Sequence, residues 1–144
     1  TVYNVSYPWL RERLVQRRAL GRCYLYTHRF LETIDRVLLL PYFIPRRLQR
    51  WADPDSGRGA IVNAVSLDML ELAHRDVFDR AILVATGNEY VDAVRRIQNL
   101  GKVMEVVGFP DFLERSLRIS ADVTRFLSHD DLNPPPKSTS SESE

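Results

Sequence analysis

The chain has 144 residues, a length that fits one domain and excludes a two-domain enzyme. Apolar residues make up 44% of it and charged residues 27%, which excludes a disordered or collagen-like chain. The longest apolar run, residues 37–44, is too short to cross a membrane, and Thr1 opens no signal peptide. We therefore expect a cytoplasmic protein without membrane association, and the single cysteine, Cys23, fits a reducing compartment.

Charge is distributed unevenly along the chain. Residues 1–60 carry a net charge of +6, residues 61–132 carry −4 and the remaining residues carry −1. Eighteen of the twenty basic residues are arginine. The planar guanidinium can donate two parallel hydrogen bonds to a phosphate, which the ammonium group of lysine cannot do. Two interpretations stay open. The arginines form a surface for nucleic acid, or they only solvate helix faces, as a net charge of +1 allows.

The first half of the chain contains three predicted elements and a loop. Ser6 is a candidate N-cap for a first helix that ends at Gly21, and Pro41 and Pro45 interrupt the chain after a second helix. The predicted elements are a helix over residues 7–20, a buried aromatic strand over residues 23–27, a helix over residues 30–40 and a loop over residues 51–59.

The second half alternates helices and strands. Asn63 is the expected N-cap of one helix, and Gly101 is the expected C′ residue of another. Because short connections join alternating helices and strands, we expect an α/β fold around a parallel sheet. The predicted elements are a helix over 63–74, a strand over 80–85, a helix over 89–100, a strand over 103–109, a short helix within 111–120 and an apolar segment to 127.

The C-terminal end has a different composition. Residues 133–144 contain three consecutive prolines and almost no apolar side chain. Such a segment cannot bury enough apolar surface to fold. We predict a folded domain over residues 1–132 and a disordered tail over residues 133–144.

Residues 81–109 have the sequence AILVATGNEYVDAVRRIQNLGKVMEVVGF, in which a predicted strand, a helix with paired arginines, a Gly-Lys step and a second strand follow one another. This order resembles the core of the NYN domain family of PIN-like ribonucleases, particularly its LabA-like branch. The family pattern is a strand ending in Ser-Gly-Asp-x-Asp-Phe, a helix with paired arginines, a Gly-Lys step and a strand similar to VEVVGF. Glu89 and Tyr90 stand at the Asp-Phe pair, Arg95 and Arg96 at the paired arginines, and Lys102 at the lysine. The match rests on order and spacing across several elements.

Flanking segments extend the resemblance over most of residues 7–127. Asp68 stands in a segment similar to the family helix that carries an aspartate, and Asp122 stands in one similar to the closing LRxxADxF pattern. The resemblance implies a three-layer α/β/α fold with a Rossmann-like, PIN-type parallel sheet, lacking or shortened at its first strand.

The resemblance also implies a chemistry. Hydrolysis of a phosphodiester uses Mg²⁺ or Mn²⁺, and these hard cations require several oxygen ligands. Such ligands converge at the carboxyl ends of parallel strands. By the resemblance, Asp68, Glu89 and Asp122 are the candidate catalytic and metal-binding residues.

RNA contacts follow from the same resemblance. Arg95, Arg96 and Lys102 are the candidate RNA-binding residues, because cations at these matched positions would meet phosphates. RNA is therefore the expected partner, and a protein partner or a homodimer is a further expectation.

Several metal positions of the family pattern have no carboxylate here. The VDV aspartate falls on Val62, or on Asn63 after a shift of one residue, and the first acid of Ser-Gly-Asp falls on Gly87. The acids that remain also have structural interpretations. Asp68 could make a hydrogen bond within the fold, Glu89 could stabilise the first turn of a helix through its dipole, and Asp122 could be a cap.

Three functions therefore remain open at the level of the sequence. The first is a metal-dependent endoribonuclease whose active site is degraded. The second is a non-catalytic PIN-like module that binds RNA or a protein. The third is a Rossmann-like interaction domain with no role in nucleic-acid binding.

Overall fold

Helices and strands alternate along most of the described chain. The structure is a computed structural model, and it describes residues 5–16, 18, 22–27, 44–47 and 54–136. In chain order the elements are α1 (Tyr7–Val15), β1 (Tyr24–Thr27), β2 (Ile44–Arg47), α2 (Pro54–His74), β3 (Arg80–Val84), a 3-10 turn (Asn88–Tyr90), α3 (Val91–Asn99), β4 (Val103–Gly108), α4 (Arg115–Ser120), β5 (Val123–Phe126) and α5 (His129–Leu132).

All strand pairs of the described residues are parallel. β1 pairs with β2, and β3, β4 and β5 form a second sheet with β4 in the centre. The α/β fold with a parallel sheet is therefore confirmed. Each strand of the larger sheet follows a helix, as expected for parallel strands joined by helical crossovers.

Alternate residues of β4 face two different layers. Met104 and Val106 are fully buried on one face, in a core to which α2, α3 and α4 contribute. Val107 is fully buried on the other face, where it packs with Leu14 of α1. We call these the α2 face and the α1 face. Helices on both sides of the sheet give the expected three layers.

Some predicted boundaries differ from the observed ones. α2 begins at Pro54, so the prediction of a loop over residues 51–59 is wrong from residue 54 onward, where a proline suits the first turn of a helix. β2 runs through Pro45 and pairs with β1, whereas the sequence predicted no strand there and interpreted Pro45 only as a residue that ends the preceding helix. A proline is tolerated where its missing N–H is not needed for the ladder.

Other predictions fall partly outside the described residues. The helix expected over residues 30–40 and residues 137–144 of the tail lie outside them. The division at residue 132 and the disorder of the tail therefore stay predictions. Within the described ranges, no helix has the length and apolar character that a membrane crossing requires.

A buried carboxylate lies in the centre of the larger sheet. Glu105 of β4 is 2% exposed and points to the α1 face. Its Oε2 lies 2.9 Å from Nη1 of Arg18 and 3.7 Å from Nη1 of Arg80, and its Oε1 lies 2.7 Å from Nε of Arg125. The Arg125 Nε contact is not aligned as a hydrogen bond, so its contribution is electrostatic. Three elements around β4 thus supply the countercharge that a buried carboxylate needs.

The same arginines also satisfy the C-terminal end of α1. Arg18 donates from Nη2 to the carbonyl of Leu14 at 2.8 Å, and from Nε to that of Val15 at 3.0 Å. Arg125 donates to the carbonyls of Arg13 at 3.1 Å and Leu14 at 2.6 Å. These carbonyls have no partner within the helix, and cations at a helix C-terminus interact favourably with its dipole. Glu105 therefore orients the groups that cap α1.

A second set of polar contacts, centred on Asp122, joins β4 to the start of β5. Oδ2 of Asp122 accepts hydrogen bonds from the backbone N–H of Met104 at 2.8 Å and from Nε2 of Gln98 at 3.2 Å. The bond from Met104, and after it the bond from Gln98, lower the pKa of the Asp122 carboxyl below its usual range. The carboxylate therefore secures the amino ends of two neighbouring strands.

Replacing Glu105 should destabilise the fold strongly. Glu105→Gln leaves three guanidinium groups around a neutral amide, and we expect the free energy of unfolding to fall by about 3 kcal/mol. Urea denaturation measures it. The matched control is Glu71→Gln, because Glu71 is exposed and only pairs with Arg75 at 3.7 Å; its effect should stay within about 0.5 kcal/mol. Equal denaturation midpoints for the two variants would contradict the role of Glu105.

Replacing Asp122 should remove a pH-dependent part of the stability. A carboxyl with a lowered pKa in the folded state contributes stability that is complete above its unfolded pKa, about 3.9, and is lost as the pH falls through the lower folded value. Asp122→Ala should lower the free energy of unfolding by about 1 kcal/mol at pH 7. The difference from the wild type should shrink below about pH 4, as thermal melts over a pH series can measure. A difference that does not change with pH would contradict an ionised acceptor.

Candidate nucleic-acid site

The carboxyl ends of β3 and β4 carry two loops that are tied together. Residues 86–89 follow β3, and the backbone N–H of Glu114, after β4, donates to the carbonyl of Thr86 at 2.8 Å. Gly108 permits this approach, because a Cβ there would lie 3.0 Å from the carbonyl oxygen of Ala85. A crevice at this edge is where ligands of open parallel sheets bind.

Glu89 is the one candidate acid that lies at this edge. It is exposed in the 3-10 turn, next to Tyr90, which is buried in the core beneath α3. Its position in the first turn also suits the dipole of the following helix. Gly87, at the family's first acid position, is buried and brings no ligand atom from a side chain.

Asp68 lies on α2, where its carboxylate has a partner within the fold. Tyr26 of β1 donates from its hydroxyl to Oδ2 of Asp68 at 2.7 Å. Tyr26 is the third of the four residues of β1, and α2 also packs against the 3-10 turn that carries Glu89.

Asp122 and Lys102 lie at the amino ends of the strands, opposite to Glu89. Asp122 precedes β5 and binds the N–H of Met104, near the start of β4. Lys102 directly precedes β4, and its Nζ contacts Oδ1 of Asp76. This contact lowers the pKa of the Asp76 carboxyl. Asp122 therefore does not lie near Glu89. Lys102 lies at the amino ends of the strands, where its ammonium group contacts Asp76.

The expected Mg²⁺ or Mn²⁺ does not fit the described acids. Across the ranges that the structure describes, no group of three or more His, Cys, Asp or Glu is arranged to hold a metal ion. Asp68, Glu89 and Asp122 belong to three different elements, and two of them are engaged in hydrogen bonds within the fold. There is a physical reason why the three acids do not form one site. The three positions follow one another along the chain, but they do not share one end of the sheet.

Arg95 and Arg96 lie on the outer side of α3. The inner side of this helix is formed by Val94 and Ile97, which are fully buried, while both arginines are exposed. Neither arginine forms an ion pair with a carboxylate of the described residues. Two adjacent guanidinium groups on one rigid helix can meet phosphates of a nucleic acid.

The sequence did not single out several residues that the structure places around this region. Tyr26, the partner of Asp68, was only counted as an aromatic residue of a strand. Phe112 and Phe126 are large exposed aromatic residues. Their signal in the sequence was weak, because exposure depends on which side chains cover them, and that is decided by contacts between distant segments.

Comparisons with known proteins agree with this architecture. The family profile of the NYN domain matches residues 2–130. A crystal structure of a protein of unknown function from Vibrio parahaemolyticus is similar, with a TM-score of 0.68 and 24% identity, over 88% of this chain and 81% of that one. At this identity the likeness concerns the fold alone. The comparison with curated proteins found no match.

The family profile extends over both sheets and over the helices between them. The match implies a PIN-like domain with a function related to nuclease action and RNA. The chain belongs to the NYN domain family.

Proposed function

We propose that this chain is an RNA-binding NYN domain of the LabA-like branch that does not cleave RNA by a metal-dependent reaction. The observation that carries the proposal is the separation of the three candidate acids. Glu89 lies at the carboxyl ends of the strands, Asp122 at their amino ends, and Asp68 is held by Tyr26 on α2. A hard divalent cation needs several oxygen atoms around one point, and this arrangement does not supply them.

RNA binding is supported by the family and by the surface of α3. Arg95 and Arg96 are exposed and make no ion pair with a described carboxylate, so binding a phosphate would not require breaking one. We leave Lys102 out of the RNA surface, because its ammonium contacts Asp76 and its side chain is only 10% exposed. The cytoplasmic location, a protein partner and a homodimer stay predictions.

Binding and cleavage should respond differently to metal. We expect single-stranded RNA to bind in EDTA at least as tightly as in Mg²⁺ or Mn²⁺, because these cations compete with the arginines for phosphate. Fluorescence anisotropy measures the affinity, and the RNA should remain intact on a denaturing gel. Glu89→Gln should leave the affinity unchanged. RNA cleavage that requires Mg²⁺ or Mn²⁺ and is lost in Glu89→Gln would overturn the proposal and assign a metal-dependent endoribonuclease.

The contribution of α3 should appear in the salt dependence of binding. Each phosphate contact that is lost reduces the slope of log K against log salt by about 1. The double variant Arg95→Gln, Arg96→Gln should therefore reduce the slope by about 2 and weaken binding at low salt.

The matched control is Arg75→Gln, an exposed arginine on α2 that pairs with Glu71. It should leave the slope unchanged. An unchanged slope in the α3 double variant, together with normal RNA binding, would contradict an RNA contact at Arg95 and Arg96.

A further inference from the structure

A surface with exposed aromatic side chains lies around α4 and the end of β5. We call it the α4 surface, and its residues are Phe112, Arg115, Arg118, Ile119 and Phe126. Their side chains belong to the short turn after β4, to α4 and to the last residue of β5. Phe112 is 68% exposed, Ile119 is 67% exposed and Phe126 is 49% exposed.

The backbone brings the two phenylalanines to the same side of the sheet. Leu113, next to Phe112, packs over Gly108, where an added Cβ would lie 3.5 Å from the Cβ of Leu113. Gly108 is in turn the β4 partner of Phe126. Hydrogen bonds from the N–H of Phe112 and of Leu113 to the carbonyl of Phe109, at 3.1 and 3.0 Å, hold the turn. The two rings are therefore carried by a rigid backbone although they are exposed.

A guanidinium group lies against the ring of Phe126. The guanidinium carbon of Arg118 lies 6.0 Å from the centre of the Phe126 ring, which is a cation–π distance. Arg115 is exposed on the first turn of α4 and forms no ion pair with a carboxylate of the described residues. Exposed aromatic rings are platforms on which the bases of single-stranded nucleic acid stack, and a cation–π contact from arginine adds to such binding.

The charges around Phe112 decide which kind of contact dominates there. Asp111 and Glu114 are exposed beside it and offset the charge of the two arginines. Phosphate attraction at this surface is therefore weak, and an uncharged base is the group that gains from the ring. α4 packs against α3, the helix that carries Arg95 and Arg96.

We propose that the α4 surface is a base-stacking site for single-stranded RNA, in which Phe112 and Phe126 each stack one base. This inference rests on the proposed RNA binding and adds to it the preference for single strands. Arg95 and Arg96 supply the part of the affinity that depends on salt, and the two rings supply a part that does not.

The test compares variants that remove or keep the rings. Phe112→Ala with Phe126→Ala should weaken binding of single-stranded RNA by about tenfold or more, with the salt slope unchanged. Replacing both residues by Trp should retain the affinity, because the ring is kept. The control is Leu67→Ala, since Leu67 is 66% exposed on α2, away from the surface. Thermal melts confirm that each variant is folded.

A substrate change tests the same contact from the RNA side. RNA with abasic positions should bind the wild type more weakly, and it should bind the double Ala variant no more weakly than intact RNA does. Such a result identifies stacking directly, because a structural defect would not depend on the presence of a base.

The outcomes separate the two proposals. If the wild type binds RNA and the double Ala variant binds it equally, the stacking site is refuted while the proposed function stands. If the wild type binds no RNA, both are refuted. If the wild type forms dimers that the double Ala variant loses, with RNA binding unchanged, the surface is a contact between copies of this chain and the inference is overturned.

Discussion

The buried carboxylate of Glu105 is the constraint on which the rest of the larger sheet depends. A charge that is 2% exposed must be compensated, and the compensation comes from β3, from β5 and from the segment after α1. Arg18 and Arg125 then use their remaining N–H groups to cap α1. Glu105 in the central strand thus pairs with an arginine of the strand on each side, and two of its three arginine partners also cap α1.

The two ends of the sheet have different chemical character. At the amino ends, Asp122 holds Met104 and Lys102 contacts Asp76, so charged side chains there serve the fold. At the carboxyl ends, Gly108 and Glu114 tie two loops together and leave Glu89 and Phe112 exposed. Among the residues that the structure describes, the carboxyl ends therefore present an exposed acid and an exposed aromatic ring. This end is consistent with base stacking more than with metal chemistry.

Much of the fold could be predicted from the sequence, and the limits have physical causes. β4 was predicted to within one residue, because a mostly apolar, β-branched segment follows Gly101, which adopts the expected positive φ of 83°. The start of α2 was missed because residues 54–59 have the composition of a turn, and β2 was missed because of Pro45. In both places the backbone conformation differs from the one that local propensity favours.

The candidate site was predicted less well than the fold. Glu89, Arg95 and Arg96 belong to one continuous segment, which the sequence predicted as a single helix and which the structure divides into a 3-10 turn and α3. Asp122 was assigned to the metal site and Lys102 to the RNA contact from their order along the chain. That order does not show at which end of the sheet a residue lies. The partners of Glu105 are distant in sequence, at positions 18, 80 and 125, so no local pattern could reveal them.

The dependence of α1 on distant residues has a consequence for how the domain opens. Nine residues are too few for a helix to persist alone in water. The long-range hydrogen bonds of α1 go to partners between 111 and 127 positions away: Trp9 donates to the carbonyl of Asp130, Arg13 to Asp131 and Ser6 to Asn133, while Arg125 caps its end. α1 and the segment from β5 to α5 must therefore form and separate together, as one cooperative unit in which the beginning and the end of the described fold share a single free energy of opening.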